Sequence, residues 1–98
     1  LEWVLNKGRE EHRGLARIRL AAVLLDLKKH GEALELLDGN KDEAWIAMAA
    51  DLKGDILFAQ GRLDEARAAY KLAIDKSDAR SPLRSLTELK LGALGGAP

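Results

Sequence analysis

The chain has 98 residues, 47% of them hydrophobic and 33% charged, the composition of one ordinary globular domain. Its 16 basic and 16 acidic side chains cancel, so the overall field gives no reason to expect nucleic acid or an anionic lipid surface as partner. Cysteine is absent, which removes disulfides and thiolate chemistry, and the longest apolar run, 44–50, is about a third of the roughly 20 residues a membrane helix needs. A chain of this size buries roughly 65% of its unfolded surface, enough for a modest core. No signal peptide is visible, and the start at Leu1 instead of Met leads us to expect a piece of a longer protein.

In chain order, residues 1–5 (LEWVL) read as the end of a helix that begins upstream, with Asn6-Lys7-Gly8 as its stop. A second helix is expected over 9–29, where Leu15, Ile18, Ala22 and Leu25 recur at three- and four-residue steps. Arg9, Arg13 and Arg17 form a basic row along it, read as a solvated face balanced by Glu10 and Glu11, or else as a grip for an acidic protein. A short helix over 31–37 turns Ala33, Leu34 and Leu37 inward and breaks at Asp38-Gly39-Asn40. Asn40 followed by Glu43 has the pattern of a capping box, placing the next helix start there. That helix runs to about Gln60, with its partner over 63–76. Ser81 then Pro82 is a cap and a first-turn residue for a last helix, with Leu83, Leu86 and Leu89 along one stripe. Residues 1–91 are therefore expected as one helical domain and 92–98, rich in Gly and Ala, as a flexible tail. No stretch shows strand alternation.

Residues 52–75 (LKGDILFAQGRLDEARAAYKLAID) organise the rest. Gly54 lies twelve residues before Ala66, Leu57 three after Gly54, and Tyr70 four after Ala66, which is the spacing of a tetratricopeptide repeat. Gly54 and Ala66 let two helix backbones approach, Leu57 and Tyr70 fill the space beside them, and Gly61 sits in the turn. The repeat's closing Pro is absent: Asp78 stands there and Pro82 comes four residues late. Shifted back by 33, the frame lands on Ala21, Leu24, Ala33 and Leu37, a second and more degenerate copy. The expected fold is all-α: tetratricopeptide-like antiparallel helix pairs in a right-handed stack, two units plus flanking helices.

Chemistry is sparse. His12 and His30 have Ala16 and Leu34 four residues on, so neither forms a helical metal pair, and no cofactor or metal is expected. Ser77, Ser81 and Ser85 lack a nucleophile-elbow context, and Asp42-Glu43 and Asp64-Glu65 sit at helix starts, where they complement the helix dipole. The reading is not an enzyme. Trp3 and Trp45 are taken as packing anchors between helices. In a stack of this kind the first helix of each pair lines a concave face. That face would carry Leu15, Ile18, Ala22 and Leu25 from one unit and Met48, Asp51, Asp55 and Phe58 from the other. The apolar members, Leu15, Ile18, Ala22, Leu25, Met48 and Phe58, are the candidate protein-binding groove. Ala21, Ala33, Gly54, Ala66 and Tyr70 are the candidate helix-crossing residues.

The opening LEWVL and the runs LARIRLAAVLLDLKKHGEALELLDG, KDEAWIAMAADLKGDILFAQGRLDEARAAYKLAI and SLTELKLGAL, in this order, resemble the YfgM-like ancillary subunits of the bacterial SecYEG translocon. The resemblance implies a short cytoplasmic tail and one inner-membrane helix upstream, with this chain as a periplasmic repeat domain. It further implies association with the Sec translocon, the periplasmic chaperone PpiD and exported clients, and a link to a response regulator; it supplies no catalytic residues. The alternative is a generic cytoplasmic scaffold or regulator on the same repeat. A homodimer of the chain is also expected, through Trp3, Val4 and neighbouring apolar surface.

Overall fold

The computed structural model describes residues 2–40 and 43–95, with side chains from residue 14 onward within them. Five α-helices follow in order: α1 (Glu2–Asp26), α2 (His30–Asp38), α3 (Ile46–Ala59), α4 (Leu63–Lys76) and α5 (Pro82–Ala93). No strand occurs among the described residues. α1 pairs with α2 and α3 with α4; the first pair packs on α3, and α5 lies on α4.

Both pairs close on the same turn. Lys28 N donates to Leu25 O and Lys29 N to Leu24 O; 33 residues later Gly61 N donates to Phe58 O and Arg62 N to Leu57 O. This is a Schellman closure, and it requires a left-handed residue just past the helix end. Gly61 supplies it with φ 76°, whereas the first unit uses Lys28 at φ 62°, a conformation that strains a residue with a Cβ.

The candidate crossing residues lie inside the fold. Ala21, Ala33 and Ala66 are completely buried, and Tyr70 nearly so. A Cβ on Gly54 would overlap the Tyr70 ring, so the missing side chain is what admits the tyrosine. One core cluster holds Ile18, Ala21, Ala33, Leu37, Ala49 and Ile56, and a second holds Leu57, Ala66, Ala69, Tyr70 and Leu91. Leu34 of the short α2 packs against both and joins them.

Three expectations are corrected. The break at Asn6-Lys7-Gly8 does not occur: α1 runs unbroken from Glu2 to Asp26, so 2–5 belongs to α1 and is no separate flanking helix. Gly8 costs about 1 kcal/mol relative to Ala inside a helix, and the helix formers around it outweigh that. The start at Asn40 is displaced. Glu43–Trp45 forms a 3-10 turn and α3 begins at Ile46, with no side-chain cap hydrogen bond from Trp45. Trp45 is held instead by packing, its ring lying where a Cβ on Gly14 would be. Finally, α5 does not bury its leucine stripe. Thr87 and Leu91 face inward, while Leu86 and Leu89 are 50% and 73% exposed.

α5 starts as expected, with the Ser81 hydroxyl accepting from Leu83 N at 3.2 Å. It holds through Ala93, past the expected domain end, and Arg67 Nε donates to Leu94 O at 3.1 Å; residues 96–98 lie outside the described part. Thr87 stands 33 residues after Gly54, and is likewise buried, so α5 carries a third copy of the crossing position. The side chains of Trp3, Arg9, His12 and Arg13 also lie outside the described part.

Two stability predictions follow from this packing. Gly54→Leu and Ala66→Leu should each lower unfolding free energy by at least the ~1–3 kcal/mol typical of overpacking, because two backbones must also separate; melts within a degree or two of the parent would contradict the crossing. Lys28→Gly should raise it by about 1 kcal/mol by relieving the left-handed strain, checked by denaturant titration.

Candidate protein-interaction site

The six groove candidates do not form one open surface. Ile18 is a core residue, 7% exposed and clustered with Ala49 and Ile56 of α3. Its position faces the first helix of the next unit, which is why it cannot line a groove. Leu15, Ala22 and Leu25 are half-buried. Met48 and Phe58 are exposed, but ten residues of helix set them about 15 Å apart along α3 and on different faces.

The same geometry decides the second unit. Asp51 and Asp55, 33 residues after Ile18 and Ala22, meet α5. Asp51, 7% exposed, accepts from the Thr87 hydroxyl at 2.7 Å and from Lys90 Nζ at 3.0 Å. Asp55 accepts from the Tyr70 hydroxyl at 2.6 Å and from Lys90 Nζ at 3.1 Å. Lys90 Nζ also stands 5.9 Å from the centre of the Tyr70 ring. One ammonium thus bridges two carboxylates from neighbouring turns of α3 and fastens α5 across them. Burial alone would lower the Lys90 pKa, but its hydrogen bonds and the charges of Asp51 and Asp55 outweigh it, leaving the pKa above the ordinary 10.5. Burial, the bond to Asp55 and both carboxylate charges raise Tyr70 well above the ordinary 10.0.

What remains open is a cleft of about 500 Å³ between α2, α3 and α4. Ala49, Ala50 and Leu57 form its floor, Leu37, Ala68 and Leu72 its walls, and Asp38, Lys53 and Glu65 its rim. It exists because the two second helices are unequal. α2 and α4 start 33 residues apart, but α2 has 9 residues and α4 has 14. The shorter helix ends where Arg17 Nη1 donates to the Gly39 carbonyl. The break at Asp38-Gly39-Asn40 is the sequence signal for it: a shortened second helix must uncover part of its neighbour. Among the described residues no group of His, Cys, Asp and Glu has the arrangement of a metal site, and no helix is long and apolar enough to cross a membrane.

The profile of the tetratricopeptide repeat-like domain family matches residues 1–96. The chain belongs to that family. This tetratricopeptide repeat-like chain is similar to proteins named ancillary SecYEG translocon subunit, as its sequence resemblance implies. It is 35% identical to that of Escherichia coli (strain K12) over 85 residues, covering 87% of this chain and 41% of the relative. To that of Neisseria gonorrhoeae (strain ATCC 700825 / FA 1090) it is 35% identical over 95 residues, 96% of this chain and 46% of the relative. To that of Buchnera aphidicola subsp. Schizaphis graminum (strain Sg) it is 28% identical over 72 residues, 71% of this chain and 37% of the relative. The chain therefore spans less than half the length of these relatives. No solved structure matches it.

The fastening of α5 makes a pH prediction. Both raised pKa values belong to groups whose protonated form the fold prefers. Their contribution is complete below about pH 10, where folded and unfolded chains are both protonated, and is lost as the pH climbs above it. Tyr70 is the one tyrosine of the sequence, so tyrosinate absorbance reports it directly. Absorbance should stay flat past pH 10 and rise only together with loss of helical circular dichroism; an independent titration near 10.0 would contradict the buried bond to Asp55.

Proposed function

We propose that this chain is a non-catalytic protein-interaction domain of an ancillary subunit of the SecYEG translocon. In this reading it links the translocon to a periplasmic chaperone such as PpiD during protein export, and its parent is anchored in the inner membrane with this domain in the periplasm. The observation that carries the reading is the likeness to relatives named as translocon subunits, which extends over most of the chain. Family membership supports it, since tetratricopeptide-like stacks present extended surfaces to protein partners. The convergent ionisable groups support a non-catalytic role: Asp51, Asp55, Tyr70 and Lys90 bond one another and fasten α5.

The surface we assign to the partner is the cleft beside α2, with an apolar helical segment of the translocon or chaperone as its occupant. Small residues on the floor admit a close backbone, and Leu37, Leu57 and Leu72 supply apolar contact. The helical unit, which holds through Ala93, acts as the working domain. Phe58, 52% exposed, and Met48 are secondary contacts.

The test uses the membrane-anchored parent in cells, with a photo-crosslinking residue at Leu72 or Phe58 and partners read by mass spectrometry. Crosslinks from Leu72 to a translocon subunit or a periplasmic chaperone are expected; crosslinks to neither would sink the reading. Leu72→Glu should reduce capture with little change in melting, because Leu72 is already 46% exposed. Phe58→Ser should change stability by under about 1 kcal/mol, whereas Ile18→Ser, a core truncation, should lose about 2–5 kcal/mol.

A further inference from the structure

α1 is apolar on two opposite sides. One side, Ile18 and Ala21, is in the core. On the other, Leu20, Val23 and Leu27 are 50%, 51% and 60% exposed, and Ala16 is exposed beside them. Residues 16, 20, 23 and 27 follow the three- and four-residue steps of one helix face. Their counterparts 33 residues on include Ala49 and Ile56, which are 8% and 0% exposed in the cluster where α1 and α2 pack on α3. On α3, then, the Ala49 and Ile56 positions of this face seat a helix, while Lys53 and Gln60, the counterparts of Leu20 and Leu27, are polar; on α1 all four positions are apolar and exposed.

Charge decides what fits there. Arg19 and Asp26 lie on one flank of the stripe, seven residues or two turns apart. Both are exposed, and neither makes an ion pair among the described residues. The other flank carries Arg17, engaged with the Gly39 carbonyl. An antiparallel helix related by a two-fold axis near Ala22 and Val23 brings the same flanks together, and each Arg19 then faces an Asp26. A flank that is its own complement selects a second copy of itself.

We propose that the outer face of α1 is a self-association surface, on which two copies of this chain pair α1 against α1 antiparallel through Leu20, Val23 and Leu27, with two reciprocal Arg19–Asp26 ion pairs. Three half-exposed side chains per copy bury far less than the ~800 Å² per partner of a standard interface, so association is weak, in about the 0.1–1 mM range. This differs from a contact through Trp3 and Val4, which the ion-pair register does not involve.

The experiment is sedimentation equilibrium of this chain up to millimolar concentration, at low and high salt. A monomer–dimer equilibrium weakened by salt is expected. Val23→Glu should raise the dissociation constant by about tenfold or more with helical content unchanged. Arg19→Asp and Asp26→Arg should each weaken the dimer, and the double swap Arg19→Asp/Asp26→Arg should restore it. A chain that stays monomeric throughout overturns the proposal. So does a dimer indifferent to Val23→Glu, one the double swap fails to restore, or one that Leu89→Glu abolishes instead.

Discussion

The fold depends on one close approach, α3 against α4 at Gly54. Tyr70 occupies the volume that any side chain at 54 would need, so the two helices lie nearer than apolar side chains would allow. That contact places the tyrosine hydroxyl at Asp55, beside the carboxylates that receive Lys90. A packing constraint in the second unit is in this way converted into a polar address for α5. The hydroxyl, ammonium and carboxylates are costly to bury singly and are buried only because each finds its partners.

The first unit solves the same problem with less. Ala21 and Ala33 replace Gly54 and Ala66, Leu37 replaces Tyr70, and Lys28 takes the left-handed turn that Gly61 takes without strain. Its second helix is cut short. The second unit carries the tighter packing, and the first leaves the apolar flank from which a partner surface can be made.

The repeat frame was legible because small residues at fixed intervals have few other reasons to recur; Gly54, Ala66 and Tyr70 announced α3 and α4, and Ala21 and Ala33 announced the first pair. Where the reading went astray, a longer-range partner decided. Ile18 looked like a groove residue until the next first helix covered it. Asp51 and Asp55 read from sequence only as positions on the concave face, since the cation that holds them lies 39 and 35 residues further along. Thr87 hid the third crossing position because a polar residue there makes sense only opposite Asp51. Local signals also misled: Gly8 suggested a stop that its helix-forming neighbours override, and the capping pattern at Asn40 is followed by a 3-10 turn, with α3 starting only at Ile46.

Residues 18 and 51 occupy the same place in successive units, yet one is isoleucine and the other a buried aspartate. The two junctions of the stack are therefore written in different chemistry. The first helix of the second unit meets a greasy seat, while α5 meets a charged one. Exchanged, α5 would set its ammonium against Ile18, and α3 would press Ala49 and Ile56 onto a carboxylate left without a cation. The units share a shape but are not interchangeable. Duplicating one of them, or permuting their order, would yield a chain with the right helices and the wrong seams.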